Sequence, residues 1–355
     1  SNLVFRATKN NNVLGTKAKT RVSLDIDGNI INRYDYPQVY TSWQYLFSTL
    51  REQISNKNYY MGDDCIEIKQ SDKKALAIFE NGKKQESDLI IVANGIKSDL
   101  RSYVDKNACP QYAGYVGWRG VVQEEEISQK SLDVLSKYFI IVLPFNQQIC
   151  VYPIAGEGKN PFKIGQRRIN WIWYKPVPSN NLKKILLGKS GKQYQDGIPP
   201  DEIRVEVVNE LFKETEKKLP PQIIELVKKT EQPLIQPIFD LESLKMKNGR
   251  IVTIGDAAFT ARPHVGMGVT KAAMDAFSMS EALDNKNCLK TLNIWEKNRL
   301  NVGKFIVNRS RELGKYLSLP KKKSDLIMPD VQDVLKDTAI SLHDISDYEI
   351  YERLQ

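Results

Sequence analysis

The chain has 355 residues, enough for two or three domains with a real apolar core. It is 41% hydrophobic and 27% charged with a net charge of +9, the composition of an ordinary globular protein. Its basic residues are scattered apart from Lys321, Lys322 and Lys323, which speaks against a nucleic-acid face. Only two histidines, His264 and His343, and four widely spaced cysteines are present, so a histidine-rich metal centre, a zinc ribbon and a thioredoxin motif are excluded. No apolar run approaches the ~18–20 residues of a membrane span. The first residues carry no signal-peptide pattern, and with the cysteine usage this makes a reducing, cytoplasmic setting the expectation. No G-x-S-x-G elbow, Walker loop or H-E-x-x-H string occurs.

Polar and apolar residues alternate through the first ~40 positions around the turn Asp25-Ile-Asp27-Gly28-Asn29, which predicts a hairpin. Leu46, Phe47 and Leu50 then fall at helical spacing behind Thr41 and Ser42 as caps. Strands are predicted near 65–70 and 74–80, followed by Asp88-Leu-Ile-Ile-Val-Ala-Asn94-Gly95, a buried-type strand running into a turn. Strands follow at 117–122, 138–143, 149–154 and 168–174, where Ile169, Trp171 and Trp173 share one face and Asn170, Ile172 and Tyr174 the other. Helices are predicted at about 201–218 and 221–229, the second opening on prolines. The span 112–240 therefore reads as an antiparallel sheet with attached helices. Gly249 to Ile254 are predicted to form a short apolar strand, residues from Gly268 a helix, and about 289–318 a further helix with Trp295, Phe305 and Ile306 as buried candidates. The polar tail beyond Pro320 is expected to pack loosely.

The segment Gly255-Asp256-Ala-Ala-Phe-Thr-Ala-Arg262-Pro263-His264-Val-Gly266-Met267-Gly268 carries the chemistry. A strand ending in Gly-Asp sets a carboxylate at the carboxyl edge of a sheet, where α/β folds bind ligands. Asp256 can accept hydrogen bonds from sugar-like hydroxyls, Pro263 stiffens the loop, and Gly266 and Gly268 allow a flat ligand to approach the backbone. The helix beginning there points free N–H groups and a positive dipole end at it. Two glycines at a helix start also make a plain tight turn, with nothing bound.

This string resembles the second flavin motif of the single-component FAD-dependent aromatic hydroxylases, the para-hydroxybenzoate hydroxylase superfamily. Asp88 to Arg101, including Asn94 and Ser98, resembles the middle motif of that superfamily. Tyr112-Ala-Gly-Tyr-Val-Gly-Trp-Arg-Gly120, Asn170-Trp-Ile-Trp-Tyr-Lys-Pro176 and Arg262-Pro263-His264 resemble its dihydroxypyridine hydroxylase branch. The resemblance spans roughly residues 41–300. It implies an α/β (mixed α+β) chain. A Rossmann-like FAD-binding part comprises residues 1–110 and 240–300, a substrate-binding sheet domain 111–239, and a C-terminal helical segment 301–355. It also implies NAD(P)H-dependent hydroxylation by O2 of a small aromatic or heteroaromatic substrate, in a protein without a membrane span that could form a homodimer. Gly255, Asp256, Pro263, Gly266, Met267, Gly268, Asn94 and Arg101 would then contact the cofactor.

Two departures bear on the cofactor. The superfamily's first motif, G-x-G-x-x-G on a βαβ unit, does not occur in these residues, which begin beyond it. Asn94 stands where Asp is usual. Weak or lost FAD binding by the residues given is therefore the expectation. His264 would orient or deprotonate a hydroxylated ring, or else be a loop histidine bonded to backbone. Tyr152 and Trp173, with Trp118, would line the ring pocket, unless they are sheet core. Arg262 would attract an anionic substrate or the NAD(P)H phosphates, or form an ion pair. Trp171-Ile-Trp173 also resembles the W-x-W string of flavin-dependent halogenases, with Lys175 in place of its Ile. Two alternatives stand beside hydroxylation and halogenation: a flavin-free homologue binding a small molecule or partner, and, last, a nucleic-acid binder.

Overall fold

The alternation of apolar and polar residues folds into one large sheet and two small ones. The computed structural model describes residues 14–158, 160–284, 288–318 and 327–339. Its strands are β1 (Thr16–Leu24), β2 (Ile30–Tyr40), β3 (Cys65–Gln70), β4 (Ala75–Phe79), β5 (Lys84–Ser87), β6 (Ile90–Val92) and β7 (Gln111–Gln123). They continue with β8 (Phe139–Val142), β9 (Gln148–Ile154), β10 (Arg168–Pro176), β11 (Leu234–Glu242), β12 (Lys247–Asn248), β13 (Ile251–Thr253) and β14 (Phe259–Thr260). The helices are α1 (Trp43–Arg51), α2 (Gln129–Leu135), α3 (Ser179–Ile185), α4 (Val205–Lys218), α5 (Pro221–Lys228), α6 (Gly268–Leu283), α7 (Cys288–Leu313) and α8 (Val331–Asp337). This is a mixed α/β architecture. Among the described residues no helix is long and apolar enough to cross a membrane.

The large sheet runs β14-β11-β7-β10-β9-β8-β1-β2. Every pair in it is antiparallel except β1 on β8. Ile251–Thr253 lie in a separate sheet, β12-β13-β6, where β13 runs parallel to β6. The sequence grouping placed residues 1–110 with 240–300, yet Thr16–Tyr40 hydrogen-bond into the large sheet. The apolar run of β8 needs a partner on its outer edge, and Val22 and Leu24 bury into the same core when β1 supplies it. Ile91 of the small sheet is 44% exposed, contrary to the buried strand expected, because β6 is an edge strand.

The two faces of the sheet are covered differently. Ile169, Trp171 and Trp173 face α2 to α5 and pack with Leu211, Ile223 and Leu226. On the other face Cys150, Ile172, Tyr174 and Tyr115 pack under Tyr316, Leu317, Val334 and Leu335. Residues 327–339 are thus less loose than expected, because Val334 and Leu335 give α8 a buried stripe. A fully buried arginine, Arg21 of β1, donates to the carbonyls of Leu335 (2.5 Å), Lys336 (3.2 Å) and Ala339 (3.3 Å) at the end of that helix. At α1, the Ser42 hydroxyl accepts from the Tyr45 N–H at 3.2 Å, the cap that the sequence predicts.

Candidate active site

At the carboxyl end of β13 the chain turns through a 3-10 turn, Gly255–Ala257, with Gly255 at φ +58°. The Gly255 N–H donates to Asp275 Oδ2 at 2.9 Å, which pins the turn to α6. Asp256 projects from it with its side chain 49% exposed. Burial of its surroundings raises the carboxyl above its ordinary value, Lys271 pulls it down, and Asp275 raises it again. Lys271 Nζ lies 3.8 Å from Asp256 and 3.9 Å from Asp275.

The following loop is built by backbone. Gly266 sits at φ +63°, and a Cβ there would lie 2.6 Å from the Cβ of Ala339, so both conformation and space require glycine. Met267 precedes α6 and offers no side-chain cap, leaving the first N–H groups of that helix without a side-chain acceptor. A Cβ at Gly268 would meet nothing within 4 Å.

Among the described residues one cavity adjoins this region and a second opens on the large sheet. One, of about 360 Å³, is lined by Ile96, Lys97, Gln236, Phe239, Asp256 and Pro263 among others. The other, of about 590 Å³, has walls that include Ser42, Trp43, Arg119, Tyr152, Arg168 and Asn170. Arg119 Nη1 donates to Gln236 Oε1 at 2.8 Å, so a single hydrogen bond joins the wall of one cavity to the wall of the other. The Nδ2 of Asn170 is buried without a hydrogen-bond partner.

The structure therefore brings together Asp256, Pro263 and the Gly266–Gly268 backbone, and separately Tyr152 with Arg119 and Asn170. His264 lies in neither wall. It is 4% exposed, with Nε2 at 2.9 Å from the Tyr115 hydroxyl, and its carbonyl accepts from the Ala339 N–H at 2.8 Å. Burial, helped by Arg262, pushes its imidazole down to about 3, so the ring is neutral near pH 7. Arg262 is engaged with Asp240 at 2.8 Å, and Asp240 also holds Arg311 at 2.7 Å. Trp173 and Trp118 belong to the helix-side core and do not share the face of Tyr152; strand alternation sends them the other way. Trp173 Nε1 donates to Gln147 Oε1 at 3.1 Å instead. Asn94 is exposed, whereas Arg101 is buried and donates twice to the Ile96 carbonyl, holding the 95–98 turn beside the first cavity. His343 lies outside the described residues.

Sequence reasoning missed Lys271, Arg119, Asn170 and Gln236. Lys271 had a signal, the one basic residue of a helix whose neighbours are mostly small and apolar. The other three come from strands whose partners the sequence does not reveal.

The residues present fit the flavin and ribityl part of the cofactor that the resemblance implies, while the G-x-G-x-x-G turn for its ADP part does not occur among them. Asp256 is a half-exposed acceptor suited to a polyol, the start of α6 offers uncapped donors, and the buried Lys271 Nζ has no hydrogen-bond partner. Among the described residues no group of three metal-ligating side chains forms.

Comparison with known proteins bears on the fold that carries this site. The family described as FAD binding domain-like matches residues 112–240. The chain is 26% identical over 282 residues to a 2,6-dihydroxypyridine 3-monooxygenase of Paenarthrobacter nicotinovorans, covering 78% of this chain and 69% of that protein. The solved structure of 2,6-dihydroxypyridine-3-hydroxylase from Arthrobacter nicotinovorans superposes with a TM-score of 0.83 at 22% identity, over 93% of this chain and 87% of that one. Klebsiella pneumoniae HpxO, solved with FAD and uric acid, has a TM-score of 0.71 at 17% identity over 95% of this chain and 79% of its own.

Proposed function

We propose that this chain, a homologue of the single-component FAD-dependent aromatic hydroxylases, is a flavoprotein monooxygenase that hydroxylates an electron-rich aromatic or heteroaromatic ring. In the overall reaction a ring C–H becomes C–OH, the second atom of O2 leaves as water, and NAD(P)H supplies two electrons. Bound FAD would carry those electrons from NAD(P)H to O2.

The observation that carries this reading is the placement of Asp256. It is a half-exposed carboxylate at the carboxyl end of a parallel strand, in a cavity wall with Pro263 and ahead of the uncapped start of α6. Asp256 would accept from a hydroxyl of the ribityl chain. The N–H groups at Gly268 would support the electron-rich edge of the isoalloxazine through the helix dipole. Arg119, Tyr152 and Asn170 would orient the ring substrate in the second cavity, with Asn170 Nδ2 donating to a ring oxygen or nitrogen. A substrate of the hydroxypyridine kind suits these donors. His264 is neutral and engaged with Tyr115, so it would hold the loop rather than exchange protons with bulk solvent. Three free thiols, Cys65, Cys109 and Cys150, support a reducing, cytoplasmic location.

The test is a visible spectrum of the purified protein, then NAD(P)H oxidation on adding hydroxypyridines, hydroxybenzoates and purines. Flavin absorbance, with a product carrying one added oxygen, is expected for at least one ring class. A colourless protein that neither quenches FAD fluorescence nor consumes NAD(P)H would overturn the reading.

A further inference from the structure

We propose that Lys271 is a positioning residue whose buried ammonium keeps the Asp256 carboxylate ionised and extended into the groove. The inference rests on the reading of Asp256 as the acceptor for the sugar-alcohol chain of the cofactor.

Lys271 is the fourth residue of α6 and its side chain is 1% exposed. Its Nζ has no hydrogen-bond partner. The fold does not need a cation there to satisfy Asp275. Asp275 Oδ1 already takes Arg299 Nε at 2.6 Å, and Oδ2 takes the Gly255 N–H at 2.9 Å. Asp256 differs, for Lys271 is the one cation within 4 Å of it among the described residues. The charged groups facing Lys271 are Asp256 on the turn, Asp275 on its own helix and Arg299 on α7. Together they form a neutral quartet of two carboxylates and two cations. Without Lys271 the quartet carries a net negative charge: Arg299 still pairs with Asp275, but no cation remains within 4 Å of Asp256 among the described residues. A protonated Asp256 accepts hydrogen bonds poorly, and one swung toward solvent leaves the groove. A buried, unpartnered ammonium is costly for stability alone, whereas a methionine would fill the same space.

The test needs no activity. The full chain is labelled at aspartate side-chain carboxyl carbons and titrated by NMR, with the Asp256 signal assigned by its loss in D256N. In K271M the Asp256 midpoint is expected to rise by about one pH unit or more, and K271R is expected to restore it. An unchanged midpoint in K271M overturns the proposal. Melting curves of K271M, expected no lower than wild type, verify folding, and K271Q serves as the second variant. FAD fluorescence quenching adds an independent readout. K271M should weaken binding about tenfold in the wild-type background and have little effect in D256N. Equal losses in both backgrounds also overturn the proposal. A wild-type chain that binds no FAD would refute the reading of Asp256 as a cofactor ligand, while the carboxyl titration still decides the role of Lys271.

Discussion

The imidazole of His264 and the phenol of Tyr115 share a hydrogen bond 2.9 Å long, in a space that neither cavity reaches. The edge of the same imidazole meets the Tyr174 ring, with centroids 4.5 Å apart. Gly314 closes the space from above, because a Cβ there would lie 2.7 Å from the Tyr115 oxygen. The first contact ties the Arg262–Gly268 loop to β7, the second to β10, so the loop is anchored on the sheet face opposite α2 to α5.

This anchor makes stability depend on pH. The His264 imidazole is lowered from 6.5 to about 3 in the folded chain, so the unfolded state binds the extra proton first. Its contribution is fully present above pH 6.5 and is lost as pH falls toward 3. The loss is on the order of 5 kcal/mol over the full window at 1.36 kcal/mol per unit. Thermal melts from pH 7 to pH 4 should show Tm falling through this window. His264→Gln should flatten the dependence, and a variant that keeps the full slope would remove His264 as its source.

Gly266→Ala places a Cβ in the left-handed region and against Ala339. A destabilisation of about 1–2 kcal/mol is expected, seen as a Tm lower by a few degrees. Gly268→Ala is the contrasting change, since its Cβ meets no protein atom within 4 Å. It should leave Tm in place and, on the proposed placement of the flavin, weaken FAD binding, because the added methyl would stand in its path. Equal melting of both variants would show that the loop tolerates a side chain at either position.

Asn170→Leu separates stability from recognition. The Asn170 Nδ2 is buried without a partner, so an apolar side chain of similar volume removes an unmet donor. Tm should hold or rise. Affinity for the ring substrate should fall about tenfold, for one lost hydrogen bond of ~1.4 kcal/mol. Binding isotherms with a hydroxypyridine measure it, and undiminished affinity would move the ring away from β10.

Much of the architecture was legible because period-2 alternation is a local property. Trp171 and Trp173 fall on the helix-side face as their spacing requires, and Asn170 and Tyr174 on the other. The position of Asp256 at the end of β13 was legible because a polar residue straight after an apolar strand marks the strand's carboxyl edge. Arg262 shows where such reasoning stops. Its partner Asp240 lies on β11, and nothing local distinguishes a substrate-seeking guanidinium from one already paired. The same holds for β1, whose parallel partner β8 is more than 100 residues away. The second cavity shares this limit, since Arg119, Tyr152 and Asn170 stand on three different strands.

The contact between Arg21 and the Leu335 carbonyl spans 314 residues of sequence. A ribosome releases β1 early and the end of α8 much later, so this clasp cannot close during most of synthesis. Ala339, which packs on Gly266 and donates to the His264 carbonyl, arrives with that late segment. The nascent chain can therefore assemble its sheet core while the turn ahead of α6 still lacks one of its supports. Completion of these contacts is thereby timed to the emergence of residues 335–339, after the sheet scaffold beneath them can already exist.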